Sequence, residues 1–236
     1  MPKTFQAWIN PLAFLEIDEP WVSATQLPLN AEAVVSYACQ PGAATDVKDI
    51  AERYREISQD PGLLFAAPSE QRILDKLVWP LRHAKASYMF GNYLSVIALC
   101  GMVGEMVAIL CWELGAPQMA GQRMTLETEK AVLGSSFERL GQERRVQVLD
   151  AYELITPDMR GRFETLRATR RKYLHVWSQD HAALPADSRG CFAAALNLVT
   201  TVIGQDVKDG WIQLNPKLVE YLERRGIVNP SPEDAV

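Results

Sequence analysis

Residues 166–177 read LRATRRKYLHVW, and their apolar members recur at helical spacing. With two residues upstream they draw a stripe of Met159, Phe163, Leu166, Tyr173 and Trp177. Arg170 fills the gap in that stripe, where an apolar side chain is expected. A guanidinium cannot shed its proton to ease burial, so an arginine aimed at a packed face needs an acceptor. Glu105, a second subunit or an anionic ligand could supply it. His175 follows five residues on and is one of three histidines in the chain. At about 100° per residue, the two side chains lie ~140° apart around a straight helix. They act together only if the helix bends or ends between them, or if two copies of it meet across a dimer interface. Arg160, Arg162, Arg167, Arg171 and Lys172 share the segment with Asp158 and Glu164, making it the strongest local positive patch in the chain. Such a patch could hold phosphates. Spacing alone favours a plainer reading, a solvated helix whose arginine snorkels from a half-buried site.

Several elements must position these residues. Thr156-Pro157 is a good cap followed by proline at the first helical position, so the stripe helix starts there. Upstream, residues 94–112 (LSVIALCGMVGEMVAILCW) are almost continuously apolar, with Glu105 near the middle and Gly101 and Gly104 interrupting the run. The run is long enough to span a bilayer. An unpaired carboxylate in lipid is costly, so the expected element is a core helix closed by Gly115 and Pro117. Thr45 can cap a helix to about Ser58, and Ser69 another in which Pro80 forces a kink or break. Residues 116–134 read as a polar connection with a short helix at LETEKAV. Ser135 and Glu138 have capping-box spacing and predict a helix to Ile155, disturbed at Gly141. Asp187 can cap a further helix to about Gly204, with Phe192, Ala195, Val199 and Val202 on one face. A short strand is expected at 211–214, and Asn215-Pro216 opens a last helix stopped by Gly226. The fold class is all-α, an irregular helical bundle. Residues 1–70 form an N-terminal extension, partly irregular with one helix. Residues 71–206 form the helical domain, and 207–236 a short helix and tail.

Composition narrows the classes further. The chain has 236 residues with 24 basic and 29 acidic side chains, a net charge of −5. Nucleic acid is not attracted to it globally, and any contact must use a local patch. Cys39, Cys100, Cys111 and Cys191 form no CxxC pair and no metal-ligand spacing with histidine. The reading is a reducing, cytoplasmic setting without disulfides, metal or cofactor. Residues 1–21 lack the basic-then-apolar pattern of a signal peptide, no membrane association is expected, and no phosphate-binding glycine motif occurs.

The arrangement resembles the HEPN family, helical domains of many RNA-cleaving toxins and defence proteins. Its hallmark is R-x(4–6)-H, matched here by Arg170-Arg171-Lys172-Tyr173-Leu174-His175 and preceded by Leu166-Arg167. The layout is similar too: a buried helix carrying an acid (GEMVAILCWEL), a variable middle, the motif helix and a final apolar helix. The resemblance covers residues 79–204. Arg171 departs from it, since family members usually carry Asn, Asp or His there. The resemblance implies a HEPN-type bundle and metal-independent RNA cleavage at a homodimer interface, with both motif copies contributing. Arg170 would stabilise the charge on the phosphate and His175, with an unperturbed pKa near 6.5, would shuttle the proton of the RNA 2′-hydroxyl. Glu105, Arg171 and Tyr173 would support them, and Arg167 and Lys172 would hold the RNA. A toxin-like protein would have an antitoxin or regulatory protein as partner. The alternative is a catalytically inactive HEPN-like module binding protein, nucleotide or RNA, towards which Arg171 counts.

Plainer roles stand beside these. Glu105 reads first as the partner of a buried donor. His83 reads as a solvated helix end and His181 as an exposed loop residue. Tyr173 reads as core with a hydroxyl that could reach a phosphate, and Trp79, Trp112 and Trp177 as core or interface aromatics.

Overall fold

The structure is a computed structural model and describes residues 47–58, 74–174, 180–204, 206–208 and 211–225. The elements run α1 (Val47–Ser58), a π-helical turn (Leu74–Val78), α2 (Trp79–Met89), α3 (Tyr93–Gly115), β1 (Gln118–Met119), β2 (Gln122–Arg123) and α4 (Leu126–Leu133). A 3-10 turn (Phe137–Arg139), α5 (Gln142–Ala151), α6 (Pro157–Leu174), α7 (Leu184–Ile203), β3 (Asp206–Lys208), β4 (Trp211–Gln213) and α8 (Pro216–Arg224) follow. It is an all-α helical bundle, with two small antiparallel hairpins at its edges among the described residues.

The apolar run forms α3, and the bundle is built around it. The Asn92 side chain caps it by accepting from the Ser95 N–H at 3.3 Å, and Ala116 ends it in the left-handed region. Val96, Ile97, Cys100, Val103, Val107 and Ala108 are fully buried under α2, α6 and α7. Ala98 and Met102, on the opposite side, are exposed. By length and composition α3 could cross a membrane, and half of its most apolar window is buried inside the protein.

The stripe helix is α6. Thr156 caps it through its hydroxyl, which accepts from the Met159 N–H at 3.2 Å. Met159, Phe163, Leu166 and Tyr173 are buried, whereas Arg170 on the same stripe keeps 40% of its side chain exposed. Trp177, the last member of the stripe, lies outside the described residues. Helix α7 packs on both α6 and α3 through Cys191, Phe192, Ala195, Leu198, Val199 and Val202. It ends where Gly204 adopts the left-handed conformation.

Several expected boundaries move, each for a local reason. Helix α7 begins at Leu184, so Asp187 sits in its first turn instead of capping it; Pro185 is tolerated there because its missing N–H has no helical partner anyway. Pro80 stands in the first turn of α2, and the break falls before it, at the π-helical turn. Ser135 and Glu138 make no capping box. The Phe137 N–H donates instead to Glu129, a 3-10 turn follows, and α5 starts only after Gly141. The expected strand is present as β4, paired with β3. The β1–β2 hairpin stands where a polar connection is expected; its turn holds Ala120 and Gly121 at positive φ of 53° and 80°. The Thr45 and Ser69 caps and the irregular part of the extension lie outside the described residues.

Candidate functional site

Arg170 reaches its position because two glycines on α3 leave room for α6. A β-carbon on Gly104 would stand 2.7 Å from Leu166 Cδ1, and one on Gly101 would stand 3.0 Å from Arg170 Cδ. Leu166 and Arg170 are successive steps on one face of α6. Both therefore lie almost on the α3 backbone, and Arg170 extends along it to the next turn. There Glu105 Oε1 accepts from Arg170 Nη1. The acid within the apolar run thus meets a donor from the motif helix.

A second arginine serves the same carboxylate. Arg145, on α5, is one of the most deeply buried charged residues described, with 10% of its side chain exposed. Its Nη1 lies 3.9 Å from Glu105 Oε2. Its hydrogen bonds go to the Phe137 carbonyl at 3.4 Å, the Glu138 carbonyl and Gln142 Oε1 at 3.5 Å. Burying an arginine is tolerable with three of its five N–H groups bonded in this way. Gln142 in turn donates to the Gly104 carbonyl at 3.4 Å. The 3-10 turn that offers the two carbonyls is itself pinned. Glu129 accepts from the Phe137 N–H and from Trp112 Nε1, both at 2.9 Å, and the Trp112 and Phe137 rings stack with centroids 4.3 Å apart. A connected polar chain therefore runs from Glu129 through the turn and Arg145 to Glu105 and Arg170.

A cleft opens beside Arg170. Gly101, Glu105, Gln142, Leu166, Arg167, Arg170 and Arg171 line a volume of about 320 Å³. Arg170 and Arg145 share one carboxylate, and exposed Arg171 has no acidic partner among the described residues. Arg167 is the most constrained of the three arginines that line the cleft. It bridges Glu164 on its own helix and Glu143 on α5 at 2.9 Å, and its hydrogen bonds to Glu164 hold that carboxyl below its ordinary range. The cleft is a mixed site with an excess of positive charge, suited to an anion that brings its own polar groups.

Lys172 and Tyr173 do not line this cleft. The Lys172 ammonium and the Tyr173 hydroxyl both donate to Asp187 Oδ2 on α7, at 2.8 and 2.7 Å. The Asp187 carboxylate, foremost, pushes Lys172 up to about 12. His181 packs edge-on against the Tyr173 ring, with centroids 5.9 Å apart. His83 is exposed on α2. Cys100, Cys111 and Cys191 are buried free thiols, and burial raises Cys111 to about 12 and Cys191 to about 11. His175, the residue after the end of α6, lies outside the described residues.

The structure thus brings together Glu105, Arg167, Arg170 and Arg171 and directs Lys172 and Tyr173 elsewhere. It adds Arg145 and Gln142, which sequence reasoning passed over because neither carries a motif. The two glycines, read from sequence as interruptions of the apolar run, are the seats of Leu166 and Arg170. No family model, curated protein or solved structure matches the chain.

Proposed function

We propose that the chain is a metal-independent endoribonuclease of the HEPN type, toxin- or defence-like and cytoplasmic. The observation that carries this reading is the cleft itself. Arg167, Arg170 and Arg171 from a single helix line a space of nucleotide size, and His175 follows in the sequence within a turn and a half of Arg170. RNA brings its own nucleophile. Its 2′-oxygen attacks the adjacent phosphorus, the bond to the 5′-oxygen breaks, and a 2′,3′-cyclic phosphate and a 5′-hydroxyl are formed. His175 takes the 2′-hydroxyl proton, and the His175 of a second copy gives one to the leaving oxygen. Arg170 and Arg171 bear on the charge that builds at the phosphate.

A homodimer is part of this proposal, because on a straight helix Arg170 and His175 would lie ~140° apart and a second copy could supply what one helix cannot. The exposed side of α3, with Met102 at 41% exposure next to the cleft wall, offers apolar surface for the second copy. An antitoxin or regulatory protein is the further partner that a toxin-like ribonuclease would have.

The test uses purified protein and labelled single-stranded RNA, with and without EDTA. Wild type is expected to cut RNA in both conditions and leave DNA intact, since DNA has no 2′-hydroxyl. His175→Ala and Arg170→Ala are expected to lower cleavage by about two orders of magnitude or more. Cleavage that persists undiminished in His175→Ala would place the activity in another site or another protein. The second reading, a non-catalytic module binding RNA, nucleotide or protein in the same cleft, draws on the pairing of Arg170 with Glu105. On that reading wild type binds RNA and leaves it uncut.

A further inference from the structure

We propose that Glu105 competes with the incoming phosphate for Arg170, and that Arg145 is the second partner that allows Glu105 to release it. The inference rests on the reading of the cleft as an RNA site and concerns how that site admits its ligand. Glu105 touches both arginines, one through each oxygen: Oε1 on Arg170, and Oε2 at 3.9 Å from Arg145. The two arginines differ in freedom. Arg145 is buried, tied to the carbonyls of Phe137 and Glu138 and to Gln142, and does not line the cleft. Arg170 lines the cleft and is 40% exposed. Only Arg170 can turn to a ligand, and only Arg145 can stay to receive the carboxylate.

The exchange also makes electrostatic sense. A phosphate beside Arg170 repels Glu105 and competes for the same guanidinium. A carboxylate that is 30% exposed would pay a desolvation cost if left without a partner. With Arg145 an ångström beyond hydrogen-bond length, Glu105 exchanges one cation for another by a small side-chain rotation. Arginine has five N–H groups, and the three named bonds leave Arg145 donors to spare. The Gln142 bond to the Gly104 carbonyl holds the backbone next to Glu105 in place during the exchange.

Binding of a 2′-O-methylated oligoribonucleotide, followed by fluorescence anisotropy, tests this. That probe carries the phosphates but cannot be cut, so affinity is read apart from cleavage. Glu105→Gln is expected to tighten binding about fivefold, the equivalent of the ~1 kcal/mol that a partly exposed ion pair holds back. Glu143→Gln, an equal charge change at the rim beside Arg167, is expected to change it by less than about twofold. Arg145→Gln is expected to weaken binding when Glu105 is present and to have no effect when combined with Glu105→Gln. The proposal is overturned if Glu105→Gln leaves affinity unchanged or lowers it, if Glu143→Gln matches it, or if Arg145→Gln weakens binding equally in both backgrounds. Should Arg145→Gln fail to fold for want of its carbonyl bonds, the comparison of the two glutamate variants decides alone. Wild type that binds the probe but leaves ordinary RNA uncut overturns the ribonuclease reading and not this one. Failure of both wild type and Glu105→Gln to bind overturns this one.

Discussion

Asp187 shows how much one carboxylate organises at the end of α6. It accepts from Lys172 and Tyr173 at once, and these bonds, with Lys172 foremost, hold its carboxyl below the usual range. A group whose folded pKa is depressed contributes stability above its unfolded pKa and loses it as the pH falls through the folded value. Asp187 therefore adds to stability at neutral pH, and its contribution declines below about pH 4. Thermal melts of wild type and Asp187→Asn across this range are expected to show wild type more stable near pH 7, with the curves converging in acid. A gap that stays constant down to pH 3 would assign the effect to packing. Because Asp187 tethers the residues just before His175, the same variant is expected to disturb that end of α6 more than the Arg170 end.

Among the elements, the contact between α3 and α6 decides where Arg170 stands, and its two glycines are expected to respond differently to substitution. Alanine gains about 1 kcal/mol over glycine in a helix interior. At Gly104 the new methyl would stand 2.7 Å from buried Leu166, and overpacking of this kind costs roughly 1–3 kcal/mol. Gly104→Ala is expected to lose about 1 kcal/mol net in denaturant titration. At Gly101 the methyl meets the flexible stem of Arg170 at 3.0 Å, which can yield. Gly101→Ala is expected to melt at or above the wild-type temperature while RNA binding weakens, because Arg170 has been pushed from its seat. Equal stability losses in the two variants would refute this division. Much of this layer was legible beforehand. The stripe Met159, Phe163, Leu166 and Tyr173, the Thr156 cap and a core helix with one face buried over residues 96–108 follow from periodicity and composition. The pairing of Glu105 with a donor on the motif helix followed from the cost of an unpaired acid. The start of α5, the seat at Gly101 and the burial of Arg145 were not legible. Each depends on a partner far along the chain, such as Glu129 for the Phe137 N–H, and short-range patterns carry no trace of it.

For the whole molecule, the expected assembly is a dimer. The longest and most apolar helix among the described residues has Ala98 and Met102 exposed beside a cleft whose proposed second catalytic residue belongs to the next chain. Sedimentation at micromolar concentration is expected to give twice the chain mass of 26.4 kDa. A strictly monomeric protein would contradict both the dimer and the composite site, and would favour the binding-module reading. The cleft also carries a message about ancestry. On α3 Gly104 leaves no room for a side chain, Gly101 seats Arg170 and Glu105 follows, while a leucine and an arginine one turn apart on α6 face them, with Glu105 and Arg170 separated by 65 positions. Gln142, Arg167 and Arg171 complete the lining around these few positions. Distant relatives are therefore better sought with this split pattern, G-x-x-G-E followed by L-x-x-x-R, than by likeness over the full length.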